Sequence, residues 1–424
     1  MRNTLSHITA RREYLTAPPT EEVHLTVRRW IMLALGTAAQ TAACAFVYGI
    51  PYLADDLRKQ QHLTLTRVGL LVACPTAGLV LALYAWGAAA DRYGERVVIA
   101  CGLGLAAGAL AGAAWGAPGM VALGGLLVAA GAAGASVYSA SGRLVMGWFA
   151  QRERGLAMGI RQTSTPLGMG VAALAMPGLA AAHGLAGAFG FLAVTCGGIA
   201  VLIAVFAADP ARPAAAAAGP APNPYRGSST LPRIHGSAAL LVIPQFTVGA
   251  FALVLLVDVR GWSPVHAGQL IAVAQGLGAA SRIVVGRWSD RTGERLRPMR
   301  RLAVVTAAVV AATALSTTFP SPLTPALLVA AIAITASTNG LSFTATAEVA
   351  GPAWSGRALG VHNTGQNLTA ALVPPAVAAV ISATAYWPGF ALAAATACVS
   401  AALIPVPPQV AASAARERRR TISA

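Results

Sequence analysis

Charge is what this chain has least of. Only 10% of its 424 residues are charged, where a soluble domain carries about 25%, and that shortage excludes an ordinary water-soluble globule. Acid is scarcer than base, with 14 Asp and Glu against 30 Lys and Arg. No carboxylate falls in the middle of an apolar run, which argues against chemistry run by buried acid pairs and against exchange of a proton for a cation at a buried acid. The five cysteines (Cys44, Cys74, Cys101, Cys196 and Cys398) all lie in apolar runs without C-x-x-C spacing, so neither a disulfide framework nor a zinc site is expected. Alternation over about ten residues, the mark of a membrane barrel, is missing too. Nor is there an H-E-x-x-H or a converging set of carboxylates. An enzyme is therefore not expected, and neither a cofactor nor a metal is called for.

What fills the chain instead is apolar sequence, 56% of it, with a mean hydropathy of +0.64. A helix needs about 20 apolar residues to cross roughly 30 Å of hydrocarbon. Twelve such runs centre near residues 41, 77, 106, 130, 168, 197, 247, 277, 310, 335, 369 and 396. Lipid offers the backbone no hydrogen-bond partner, so the spans must be helical. The first, Ile31 to Ile50, follows an arginine-bearing segment and precedes no A-x-A-type cleavage context, and it reads as a retained helix. With an inward-facing N-terminus, 23 of the 30 basic residues fall inside, 4 outside (Arg58, Lys59, Arg67, Arg260) and 3 within spans. That bias predicts both termini in the cytoplasm and the spans in the cell inner membrane. The +16 formal charge then belongs to topology and to the lipid surface, as in the terminal "RERRR", and no nucleic-acid partner is implied.

The chain repeats itself. "GAAADRYGERVV" (Gly87 to Val98) returns as "GRWSDRTGERLR" (Gly286 to Arg297) at an offset of 199, and "GIRQT" (Gly159 to Thr163) returns as "GVHNT" (Gly360 to Thr364) at 201. Between the copies lies a stretch with six prolines from Asp209 to Gly236, a flexible linker by composition. The expected organisation is an N-terminal tail (1–29), a six-helix bundle (30–207), a cytoplasmic linker (208–235), a second six-helix bundle (236–405) and a C-terminal tail (406–424). An even number of spans per unit makes the two bundles parallel repeats, with a seam between them at which a central cavity can open to either side in turn. The charged loops are expected to latch the cytoplasmic ends of the helices. Gly87 and Gly286 would allow close helix approach, Asp91 and Asp290 would meet a helix N-terminus or an arginine, Gly94 and Gly293 would turn tightly, and Arg92, Arg96, Arg291 and Arg295 supply charge.

In these loops the chain resembles the major facilitator superfamily, whose signature G-x-x-x-D-R-x-G-R-[RK] stands between helices two and three and again between eight and nine. Glu95 and Glu294 stand where that pattern has arginine. The resemblance implies twelve helices in two pseudo-symmetric bundles, an all-α integral membrane protein, and a secondary active transporter with a small-molecule substrate, working as a monomer.

Polar residues at bilayer depth mark candidate substrate contacts. Arg282 lies eight residues before Asp290, well inside the eighth span, with Gln275 on the same face, and its fork of donors suits a carboxylate. The position resembles the eighth-helix arginine of monocarboxylate and oxalate:formate-type members. Arg161 enters the fifth span, and its repeat mate is His362, followed by Asn363, Gln366 and Asn367. Thr37, Thr41, Cys44 and Tyr48 form a stripe on the first helix, and Thr335, Asn339, Ser342 and Thr346 one on the tenth. Tyr138 and Gln245 join the cavity by resemblance, because helices one, four, seven and ten line it in the family. Arg143 reads as interfacial, and Gly104, Gly108, Gly112 and Gly116 as a close-packing face. The favoured cargo is a small organic or inorganic anion, with a coupling proton accompanying it or passing through His362. The alternative is an efflux antiporter for neutral or amphiphilic drugs, suggested by "TPLGMG" (Thr165 to Gly170), a partial likeness to the fifth-helix G-P-x-x-G-G of antiporters.

Overall fold

A computed structural model describes residues 19–60, 63–116, 119–210 and 222–406. The outer parts of both tails and residues 211–221 of the Pro-rich stretch lie outside the described residues. Every long element is a helix, and no strand occurs among the described residues. Among the described residues, eleven helical segments are long and apolar enough to cross a membrane. One of them, residues Arg154–Phe206, runs 53 residues, about 80 Å at 1.5 Å per residue, far more than one crossing requires. It doubles back at Gly184, where φ is 66° and ψ −173°, a backbone conformation that side-chain-bearing residues avoid. Its two ends meet on one face. At the start, Arg154 Nε donates to the carbonyl of Met146 at 3.0 Å; beyond the end, Trp148 Nε1 donates to Ala208 O at 3.0 Å. The segment is therefore two spans, and the total is twelve.

In order, the spans are Pro19–Val47, Leu65–Tyr93, Glu95–Trp115, Met120–Trp148, Arg154–Gln162 continuing into the first arm of Ser164–Phe206, the second arm of that helix, Thr230–Val254, Pro264–Thr292, Leu296–Ser316, Thr324–Thr335 with Asn339–Ala350, Ser355–Ala383 and Tyr386–Leu403. The fifth span breaks at Thr163 because Pro166 has no N–H to offer the carbonyl of Gln162, four residues back. The tenth breaks at Ala336 to Thr338, where Ser337 Oγ donates to Ile334 O at 2.6 Å, a local bond that competes with the helix ladder. The seventh begins at Thr230, inside the stretch that composition suggested as linker. Leu231 and Ile234 are fully buried, and their burial extends the helix beyond its apolar run.

Between spans surrounded by lipid there is no hydrophobic drive, and packing rests on close backbone approach at small residues. A Cβ on Gly131 would strike the backbone of Pro75, joining spans two and four; one on Gly102 would strike Ser136, joining three and four. The expected glycine face of the third span is not used in this way. Gly104 and Gly108 meet nothing within 4 Å, because the helix is rotated so that Gly102, Leu103 and Ala106 face the bundle. Across the seam the second span packs on the eleventh and the fifth on the eighth, an exchange that matches the sequence repeat.

Candidate functional site

Each repeated loop crosses the seam. Asp91 accepts the backbone N–H groups of Gly356 at 2.9 Å and Arg357 at 3.1 Å, at the start of the eleventh span. Asp290 accepts those of Gly155 at 2.8 Å and Leu156 at 2.7 Å, at the start of the fifth. A carboxylate there satisfies the orphan donors and the positive end of the helix dipole. Gly87 faces Gly356 and Gly286 faces Gly155 so closely that a Cβ on Gly87 or Gly286 would collide with the partner's backbone. Gly94 and Gly293 turn with φ of 95° and 66°. Both loops lie on one face, which is shut.

Their arginines do not act alike. Arg92 and Arg291 are exposed; Arg92 covers the ring of Tyr93, 5.2 Å away. Arg96 binds the carbonyl of Ala204, and its N–H meets Asp209 at 2.7 Å, so it ties the loop to its own half and not across the seam. Of the four, Arg295 alone is buried and crosses, bonding Asp290 at 2.7 Å and Gln151 O at 2.5 Å, with Glu348 at 3.5 Å. In the first half that position is filled from elsewhere. Arg143, expected at the interface, is buried on the fourth span and ion-pairs both Asp91 and Glu95. Its repeat equivalent is Thr344. Glu95, 1% exposed, thus serves as a second counter-ion for Arg143, whereas Glu294 pairs with Arg297 at 3.3 Å.

Above this closure lies a cavity of about 70 Å³ whose walls come from both halves. Of the expected contacts, Tyr48, Tyr138, Arg161, Gln245, Arg282, Asn339, Asn363 and Gln366 line it. Two hydrogen bonds cross the seam here: Tyr48 Oη donates to Asn367 Oδ1 at 2.8 Å, and Asn363 Nδ2 donates to Tyr138 O at 3.0 Å. Three expected residues are elsewhere. Gln275 shares Arg282's face but stands two turns away and is exposed. Thr41 back-bonds to Thr37 O at 2.9 Å and opens on an apolar groove between the first, fifth and sixth spans. His362 is buried behind the wall against Ser342 and Thr346. The polar line of the first span is Gln40, Cys44 and Tyr48, which keeps Cys44 and Tyr48 of the expected stripe and has Gln40 in place of Thr37 and Thr41. Gln162, Thr165, Val242, Phe246, Phe343 and Ala370 also line the wall, unforeseen as contacts.

Both wall arginines are buried and held by neutral groups. Arg161 donates to Gln40 Oε1 at 2.8 Å and to Ser141 Oγ at 2.6 Å, and lies 5.9 Å from the Phe343 ring. Arg282 Nε donates to Ala336 O at 3.3 Å, while its buried Nη1 has no hydrogen-bond partner. Among the described residues neither has a carboxylate within ion-pair distance, and no Asp or Glu lines the cavity.

Residues 31–374 match the family model described as Major Facilitator Superfamily. The chain is 40% identical over 397 residues to the uncharacterized MFS-type transporter Rv2994 of Mycobacterium tuberculosis, covering 92% of this chain and 89% of that one. Among solved structures it resembles the proton:xylose symporter XylE (TM-score 0.72, 12% identity, covering 89% of this chain and 95% of that chain). It also resembles the human organic anion transporter MFSD10 (TM-score 0.69, 15% identity, covering 92% and 100%). With twelve spans, a charged loop written twice and a seam closed by the exchange of its two aspartates, the chain belongs to the major facilitator superfamily of membrane transporters.

Proposed function

We propose that this transporter carries a small organic or inorganic anion across the cell inner membrane by alternating access, with both termini cytoplasmic and the two DRxGER loops as its cytoplasmic gate. The observation that carries the cargo class is the buried, partnerless Nη1 of Arg282 beside a second buried guanidinium, Arg161, in a cavity with no acid on its wall. Burying one cation without a counter-charge costs several kcal/mol, and two in one small cavity favour an anion bound between them. A carboxylate or similar oxyanion presents the paired acceptors that a guanidinium fork fits. The cavity's size supports a cargo of few atoms.

The test is uptake into proteoliposomes of a panel of small carboxylates, inorganic anions and neutral amphiphiles. Removing one member of a buried charge contact costs about 2–5 kcal/mol, so Arg282→Gln should weaken anion uptake at least about 30-fold, with Arg282→Lys between it and the native protein. The competing reading is an efflux antiporter for neutral or amphiphilic drugs. It draws on the apolar groove lined by Trp30, Leu33, Thr41, Ile160 and Leu167, a route by which an amphiphile could enter from the bilayer. Transport of an uncharged amphiphile, unaffected by Arg282→Gln, with every anion ignored, would replace the first reading by the second.

A further inference from the structure

A row of hydrogen-bonding side chains in the second half runs from the segment before the seventh span to the cavity wall, and anion binding uses none of its imidazoles. Tyr225 Oη lies 3.0 Å from His235 Nε2, and His235 Nδ1 lies 3.0 Å from His362 Nδ1. His362 Nε2 lies 3.1 Å from Ser342 Oγ, and its Nδ1 lies 3.2 Å from Thr346 Oγ1. Ser342 Oγ donates to Asn339 O at 2.9 Å, and the Asn339 amide, on the cavity wall, donates to Gln245 at 3.2 Å.

The protons of this row follow from its inner end. The Ser342 hydrogen is committed to Asn339 O, so its oxygen accepts from His362 Nε2–H, and His362 Nδ1 is bare. That nitrogen accepts from His235 Nδ1–H, with the Thr346 hydroxyl as a second donor to it, which leaves His235 Nε2 bare to accept from the Tyr225 hydroxyl. Burial first, and Tyr84 second, push the Tyr225 phenol up to about 12, so it stays a neutral donor at physiological pH. Every donor of the row points inward, and its outermost basic nitrogen, His235 Nε2, is covered only by the Tyr225 hydroxyl. A proton arriving there turns His235 into an imidazolium donating from both nitrogens, and the Tyr225 oxygen turns to accept. The shared hydrogen can then pass to His362 Nδ1, moving the charge one residue toward the cavity without breaking the row.

The cavity cation Arg161 stands 5.9 Å from the Phe343 ring, which separates it from His362. Phe343 packs edge-on against His362 with centroids 4.8 Å apart, and Trp354 flanks Tyr225. The charged groups on the elements around the two histidines are engaged elsewhere. Arg233 of the seventh span donates to Leu403 O at 2.9 Å, Arg357 of the eleventh reaches Asp91 at 3.6 Å, and Glu348 of the tenth faces Arg295 at 3.5 Å.

We propose that His235 and His362 form a single proton-binding site, loaded from the Tyr225 side, whose proton is carried in step with the cargo. The coupling rests on the anion reading above; the proton site itself does not. Two measurements separate them. In the first, ring ¹⁵N spectra of the histidine-labelled full-length protein are followed from about pH 8 to about pH 4, a window that reaches below the ordinary histidine range. Two rings should change protonation together, and His235→Gln should abolish the joint change; rings of His235 and His362 fixed in one state throughout would overturn the site. In the second, proteoliposomes are assayed for anion exchange without a pH gradient and for accumulation with one. His235→Gln should keep exchange and lose gradient-driven accumulation, with Tyr225→Phe slowing it. Exchange with accumulation indifferent to the gradient, or unchanged in His235→Gln, would overturn the coupling. No anion exchange in the native protein would instead sink the anion reading, leaving the spectra to decide the proton site.

Discussion

Arg143 holds two carboxylates, Asp91 and Glu95, in the end of the first bundle that carries the charged loops. Cutting it to Gln takes the buried Glu95 away from this cation and leaves Asp91 with Arg357 at 3.6 Å, a loss of about 3–5 kcal/mol for a broken buried pair. The detergent-solubilised protein should show a clearly lowered thermal midpoint. Adding Glu95→Gln should restore part of that loss, because the buried charge that Arg143 had paired is then gone; no rescue would mean that Glu95 is held chiefly by something other than Arg143. Arg143 and Glu95 could be seen in the sequence only as two unrelated oddities, an arginine inside a span and a glutamate in place of the family's arginine. They are 48 positions apart, and nothing in either neighbourhood points to the other. By contrast, Asp91, Asp290 and the glycines beside them were legible because the chain writes them twice.

At the scale of elements, the seam is made by helices whose backbones touch. Gly87 against Gly356 and Gly286 against Gly155 leave no room for a side chain, so Gly87→Val or Gly286→Val should hold the charged-loop face apart. Spin-label distances between the end of span two and the start of span eleven, or between the end of span eight and the start of span five, should lengthen in the variant whose pair is altered. Unchanged distances would show that the close approach is incidental. The fifth span offers a different test. Pro166 breaks it between Arg161 and the outer arm, and Pro166→Ala restores the N–H that Gln162 O lacks. The straightened helix should displace Arg161 and Gln162 from the cavity wall and weaken uptake, with little change in thermal stability. That break was visible in the sequence as a proline, but the one at Ala336 to Thr338 was not, since Ser and Thr occur in continuous membrane helices as well.

For the whole molecule, the two aspartates are related by the repeat and cap each other's halves. Asp91→Asn and Asp290→Asn should therefore act with the same sign, each loosening the closed face by about 1 kcal/mol or more for a lost cap. Cysteines introduced on the charged-loop side of the cavity should become more reactive to a polar thiol reagent in both. Opposite responses would argue against a twofold mechanism. The effects should still differ in size, because among the described residues Asp91 has Arg143 and Arg357 behind it whereas Asp290 has Arg295.

The sequence by itself determined the helical class, the twelve crossings, the twofold repeat and the charged loops, since each is a local property: apolar length, composition and a motif read twice. It also put most of the cavity wall in view, because a polar side chain at bilayer depth is conspicuous wherever it sits. Only the tertiary structure decided which of those polar residues share a space. Helix rotation moved the first span's polar line from Thr41 to Gln40, helix length carried Gln275 out of the cavity, and the early start of the seventh span brought His235 to His362. Those outcomes depend on the angle and depth at which one helix meets another, and that is set by the neighbours it packs against, not by the periodicity of its own residues.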